Sequence, residues 1–231
     1  MNATDTRKDK SSSPDSLREQ LYHYLQNAML KGTLEYGKFI DQDRICSDLG
    51  VSKAPLRDAL IRLEAEGFVT ILPRRGVFLT PLSADFIKSA YQIIGSVEAD
   101  CMNEVFHLLT KKHIAQFERS NALQYDYLIH EQYEKYFLEN IAFHDIFLSL
   151  AKNVLLKKII DPLRMRLYHF PQREYLKSWE LENLQTHQRI IDSIMKGNRA
   201  AAVSIIRVEH WGWDNHKDFV EKYCSDVNIK D

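Results

Sequence analysis

Apolar positions in the first part of the chain recur every three or four residues, then alternate, then recur every three or four again. Leu17, Leu21, Tyr24, Leu25 and Ala28 share one helical face. Ser16 is a good N-cap for that helix, Glu19 completes a capping box, and Gly32 ends it. A second helix is predicted over Gln42–Leu49, stopping at Gly50, and a third from the N-cap Ser52 to about Glu66, before Gly67. A turn containing glycine between two such helices is the layout of a helix-turn-helix. Short β-rich runs follow at Phe68–Leu72 and Val77–Thr80, joined by the hairpin-like Pro73-Arg74-Arg75-Gly76. Three helices and a hairpin predict a winged helix over residues 16–80. Residues 81–83 read as a linker. Beyond them the helical period returns with few prolines or glycines and no internal repeat, which predicts an all-α bundle of about six helices over 84–231. The expected class is therefore mainly α, a winged helix-turn-helix followed by a helical bundle. Residues 1–15, rich in Ser, Lys and Asp, read as a disordered leader.

Composition narrows the setting. The 231 residues are 45% hydrophobic, an ordinary value for a globular protein. Apolar runs are short, as at Ala200–Val203, so no membrane span is expected, and the polar start has no signal-peptide core. Three distant cysteines argue against a disulfide framework and for a reduced, cytoplasmic protein. The net charge of −1 looks wrong for a nucleic-acid binder, but binding depends on where positive charge sits rather than on its sum.

Positive charge sits on the third helix and on the hairpin. In a helix-turn-helix the second of the paired helices enters the major groove, with its N-terminal residues against base edges. Lys53 and Arg57, four residues apart, share one face of that helix. Arginine reads guanine O6 and N7 in bidentate fashion, while Ser52 and the helix N-terminus suit a phosphate. Arg74 and Arg75 at the wing tip are placed for the backbone or the minor groove. The alternative, ordinary surface charge, would suit any one of these residues alone.

The segments Gly32–Gly37, Leu49–Leu60, Arg62–Gly67 and Pro73–Gly76 together resemble the DNA-binding domain of the GntR family of regulators. The resemblance implies DNA contacts at Lys53, Ala54, Arg57 and Gly76. The family's contacting arginine of the second helix falls on Asp43, with Arg44 beside it as the candidate. The helical part resembles the family's FCD effector domain through Asn140-Ile-Ala-Phe-His144, the helix beginning at His187, and Gly197–Ala202 leading into Glu209-His210. In that domain an aspartate and three histidines commonly hold a divalent metal. Asn140 stands where the aspartate is expected.

Helical phase bears on the same residues. Asn140, Phe137, Ile141, Leu148 and Ala151 all fall within about 60° of His144 on a wheel of 100° per residue. His187 shares a face with Leu184, Ile191 and Ile194. In the last of the three helices the stripe Ala202, Ile206 and Trp213 includes Glu209, and His210 lies about 100° further round. The expected ligands for Zn, Mn or Ni are thus His144, His187 and Glu209 with a weak Asn140, a set whose carboxylate favours Mn more than three histidines would. A site using His210 is the variant, and a metal-free polar pocket is the alternative. Arg166 continues the predicted inward row Leu155, Ile159 and Leu163. The resemblance makes it the anchor of an effector carboxylate; an internal salt bridge, to Glu98 or Glu209, is the other reading, and Asp161-Pro162 can restart the helical phase.

Together these features lead to a ligand-responsive transcription regulator, not an enzyme. It is expected to be a repressor that binds a palindromic double-stranded DNA operator as a homodimer and responds to a small carboxylate. A metalloenzyme, or a helical module that only dimerises, are the competing readings. A basic recognition face has no role in the first, and no nucleophile–base pair or phosphate-binding loop stands out.

Overall fold

The computed structural model describes residues 16–168 and 173–226, so the expected leader over residues 1–15 lies outside the described residues. The chain divides into two compact units, 1–80 and 81–231.

In the first unit, α1 (Leu17–Leu30), α2 (Gln42–Leu49) and α3 (Lys53–Ala65) precede an antiparallel hairpin of β1 (Val69–Leu72) and β2 (Gly76–Leu79). Ser16 accepts a hydrogen bond from the Glu19 amide and caps α1 as expected. The Glu19 carboxylate instead accepts at both oxygens from Nη1 of Arg62 on α3, whose guanidinium also lies 3.6 Å over the Tyr22 ring. Leu25 and Met29 of α1 meet Leu56, Leu60 and Leu63 of α3 in a core that also takes Phe68 and Leu79, all at most 1% exposed. Each such side chain contributes about 1.5–3 kcal/mol of burial. Gly50 ends α2 in the left-handed conformation that a side chain disfavours, which allows the tight entry into α3.

The wing is wider than the sequence pattern suggests. Ile40 donates its amide to the Val77 carbonyl, Leu79 donates to Lys38, and Phe39 bridges Phe78, so residues 37–40 line the edge of β2. At the tip, Arg75 donates its amide to the Leu72 carbonyl and Pro73 sits in the second place of the turn. Arg74 follows with φ 64°, a left-handed conformation that costs a non-glycine residue about 1–2 kcal/mol.

In the second unit, α4 (Ala84–Val105) is capped by Ser83, which accepts from the Phe86 amide. After it come α5 (Lys111–Ile129), α6 (Tyr133–Leu148), α7 (Leu155–Tyr168), α8 (Arg173–Met195), α9 (Arg199–Ser204) and α10 (Trp213–Asp226). Between α9 and α10 lies a π-helical stretch, Ile205–His210. The buried face of α4, including Ile87, Ala90, Tyr91, Ile94, Met102 and Val105, forms the centre of one core. Leu82, in the stretch read as linker, is part of that core. Gly95 lets Trp211 lie against α4: a Cβ there would come within 2.7 Å of the Trp211 Cβ.

The phase of α7 differs from the expected one. Leu155 and Ile159 are more than half exposed, while Ile160 and Arg164 are fully buried. The inward row therefore runs one position later than the sequence pattern placed it, in a helix that carries Pro162 in its interior.

Two substitutions test these local constraints by thermal unfolding. Arg74→Gly should leave stability unchanged or slightly raised, whereas Arg74→Val should lower it by about 1–2 kcal/mol, because a β-branched residue tolerates positive φ least. Gly95→Ala should destabilise the second unit by about 1–3 kcal/mol through overpacking against Trp211.

Candidate functional site

The residues of the predicted DNA face lie on the surface of the first unit. Ser52 holds the N-cap position of α3 but its side chain makes no capping hydrogen bond. Ala54 and Arg57 are exposed on the first two turns. Lys53 Nζ pairs with Asp43 Oδ1 at 2.7 Å and Arg44 Nε approaches Asp48 Oδ2 at 3.6 Å, so acidic residues of α2 accompany two of the candidate contacts. Arg74 and Arg75 are exposed at the wing tip, with Arg75 5.9 Å from the Phe39 ring centre. Gly76 has φ 114° and lies against Phe39, so a side chain would be strained there.

In the helical unit, His144 on α6, His187 on α8 and His210 in the π-helical stretch meet in the core. One imidazole nitrogen of each lies within 4.8 Å of the others, and all three residues are buried. Their ring centres are 4.7–5.3 Å apart. His187 stacks on Phe143 at 4.0 Å. Neither nitrogen of His187 nor Nδ1 of His210 finds a hydrogen-bond partner among the described residues. Burial, reinforced by the neighbouring imidazoles, holds His187 and His210 well below the ordinary histidine value, so both stay neutral.

A second layer orients the cluster. His144 Nδ1 stands 2.8 Å from Oε2 of Glu98, a fully buried carboxylate on α4 that also accepts a hydrogen bond from the Trp211 indole at 2.7 Å. A proton on Nδ1 leaves the His144 Nε2 lone pair for the cluster. Arg164 approaches the other Glu98 oxygen at 3.7 Å and also pairs with Asp145 and Asp161. His216 Nδ1 accepts from the Trp179 indole, so its Nε2 carries the proton and donates to the His210 carbonyl. That bond braces the backbone of the third histidine.

Two expected ligands lie elsewhere. Glu209 pairs with Arg189 at 2.6 Å and is partly exposed, and His210 takes the inward place. A π turn holds one residue more than an α turn, so a wheel of 100° per residue points to the wrong neighbour after it. Asn140 is buried one turn from His144, but its amide is committed: it donates to Gln124 Oε1 and accepts from the Tyr168 hydroxyl. The inward arginine is Arg164, paired with Glu98. Arg166 is also buried, yet its guanidinium lies 3.8 Å over the Phe86 ring. Glu98 is one of the salt-bridge partners the sequence offers for Arg166; the changed phase of α7 gives it Arg164 instead.

A cavity opens beside the histidines. Asn140, His210 and Trp211 line one side, and Trp179, Glu180 and Phe219 are among its other walls. Arg166 does not line it, and neither does any lysine or arginine among the described residues.

Comparison with known proteins follows the two units. Residues 17–79 match the family described as bacterial regulatory proteins, gntR family, and residues 89–210 match the FCD domain, which alone spans more than half of the chain. The chain belongs to the GntR family of regulators with an FCD domain. It is 24% identical over 196 residues to the HTH-type transcriptional regulator YdhC of Bacillus subtilis (strain 168), covering 84% of this chain and 87% of YdhC. It is 21% identical over 148 residues to the HTH-type transcriptional repressor RspR of Escherichia coli (strain K12), covering 64% and 65% of the two chains. Among solved structures, E. coli McbR/YncC superposes with a TM-score of 0.70 at 16% identity, over 91% of this chain and all of that one. The GntR regulator is thus a DNA-binding transcription regulator whose helical unit is an effector domain, as the sequence resemblance led one to expect. No helix among its described residues is long and apolar enough to cross a membrane.

The buried histidines imply a pH dependence. A histidine held below its unfolded value is neutral when folded but protonated when unfolded at low pH, so the unfolded state binds more protons there. Chelator-treated protein should therefore lose stability as pH falls through about 6.5, by up to about 1.4 kcal/mol per pH unit for each such histidine. His187→Phe, which keeps an aromatic ring against Phe143, should flatten that slope in denaturant titrations.

Proposed function

We propose that this GntR regulator is a homodimeric repressor. It binds a pseudo-palindromic operator through Lys53, Arg57 and the Arg74–Arg75 wing, and releases it when a small molecule enters the cavity beside the three histidines. The observation that carries the reading is that the chain combines a winged helix bearing a basic α3 and wing with three buried imidazoles next to a cavity, the nitrogens of His187 being without a hydrogen-bond partner among the described residues. One winged helix covers only a half-site, so twofold symmetry is the usual route to specificity. The name of RspR supports repression. An effector changes operator affinity only insofar as it binds the competent and incompetent forms unequally.

The histidine donor set fits a divalent metal, held by His144, His187 and His210. A metal there would cross-link α6, α8 and the π-helical stretch and act as a Lewis acid toward the cavity. With Glu209 turned away, the set is three neutral nitrogens, which suits Zn or Ni better than Mn. Glu98 serves the set by orienting His144. The metal's place in this reading is to shape an effector site, not to run a reaction.

Gel-shift titrations at two salt concentrations test the DNA half. Arg57→Ala should cost about 1–3 kcal/mol of specific binding and relax preference at one base pair per half-site. Arg75→Ala should weaken all sequences alike and reduce the salt slope. Wild-type affinity in Arg57→Ala removes α3 as the reading helix. A monomer in light scattering at micromolar concentration removes the dimer. Elemental analysis tests the metal: His210→Ala should lose it and Glu209→Ala should keep it.

A further inference from the structure

The cavity beside the histidines carries a carboxyl group that the metal set does not use. Glu180 on α8 is 4% exposed and lines it. Its Oε2 accepts hydrogen bonds from the Tyr136 hydroxyl at 2.5 Å and from the Asn183 amide at 2.9 Å. No lysine, arginine or histidine of a described residue pairs with it, unlike Glu98, Asp145 and Glu209, which each have an arginine or lysine partner. Burial alone pushes the Glu180 carboxyl above its ordinary value. The two donated bonds act the other way and favour the ionised form. A carboxylate kept out of water needs a counter-charge or a proton.

The remaining walls are aromatic. Trp179 and Phe219 stack at 4.5 Å, Phe137 and Tyr168 stack at 5.3 Å, and Tyr91 meets the edge of Trp211 at 5.2 Å. All six rings line the same cavity as Glu180. Ring faces attract cations, and the attraction grows when water is excluded. A carboxylate effector would meet a second buried carboxyl group, and an Arg166 that lies outside the described lining.

We propose that the effector cavity takes a small organic cation, a protonated or quaternary amine, with Glu180 as its counter-ion and the aromatic walls as its box. The inference rests on the reading of this domain as an effector domain. It replaces the carboxylate expected from the sequence. Tyr136 and Asn183 hold Glu180 in place, so the carboxylate faces its ligand without an ordering cost. A dication on the three histidines would weaken the binding of a second cation, so the amine is tested both on protein as purified and on protein treated with chelator.

Full-length protein is titrated with choline, with its uncharged carbon isostere dimethylbutanol, and with the like-sized carboxylate pivalate. Tryptophan fluorescence reports the cavity through Trp179 and Trp211, and thermal shift reports stabilisation. Choline should bind roughly tenfold or more tightly than either isostere, as expected for a desolvated charge between rings and a carboxylate. Glu180→Gln retains an oxygen for both donated bonds and should keep the fold while losing that preference. A Trp179→Leu variant should weaken choline more than dimethylbutanol. Equal binding of choline and dimethylbutanol, preference for pivalate, or unchanged choline affinity in Glu180→Gln each overturns the inference, as does failure of choline, tetramethylammonium and putrescine all to bind at millimolar concentration. Gel shifts with the same compounds separate the two levels. Operator release by pivalate leaves the effector reading standing and only the cation wrong, whereas no release by any compound, with no binding, removes both.

Discussion

One carboxylate, Glu98, organises the helical unit. It lies fully out of water on α4 and is met by the Trp211 indole, by His144 and by Arg164. Those partners come from α6, from α7 and from the residue just after the π-helical stretch, so one buried charge ties four parts of the chain to a single geometry. An ion of this kind is costly to bury unless its lone pairs are used, and removing one partner leaves the rest uncompensated. The arrangement is therefore all-or-none. It places Trp211 against Gly95 and turns His144 toward His187. The three imidazoles meet because Glu98 and the His216–His210 bond hold their supports.

The DNA-reading unit depends on different physics. Its core is a small set of aliphatic contacts between α1 and α3, locked at the rim by the Arg62–Glu19 pair. That core leaves the outer face of α3 free to carry charge. Lys53 and Arg44 sit beside acids of α2, and operator phosphates would have to compete with those acids. The net charge of −1 hides this arrangement. The wing tip adds two arginines on a turn whose backbone conformation at Arg74 suits glycine better, a local cost of the kind found where a side chain must be aimed.

Among the described residues of the helical unit, two buried carboxyl groups have contrasting surroundings. Glu98 is surrounded by donors and an arginine, and it works inward, on the histidines. Glu180 has two neutral donors and an aromatic cavity in front of it. That difference in neighbours, rather than any difference in burial, distinguishes the two carboxyl groups.

The period of apolar residues determined the winged helix, the helical bundle and the boundary near residue 80, because amphipathic spacing and glycine stops are local properties of the chain. It also brought His144 and His187 to inward faces, since α6 and α8 are regular helices over those positions. Where the backbone departs from regularity the pattern loses its bearing. The π-helical stretch exchanged Glu209 for His210, and the shifted phase of α7 set Arg164 beside Glu98 while Arg166, also buried, lies against Phe86. The pairing of Glu98 with His144 and the aromatic surroundings of Glu180 join residues tens of positions apart. No periodicity encodes them, and only the packing of helices against one another decided which carboxyl group meets the histidines and which faces the cavity.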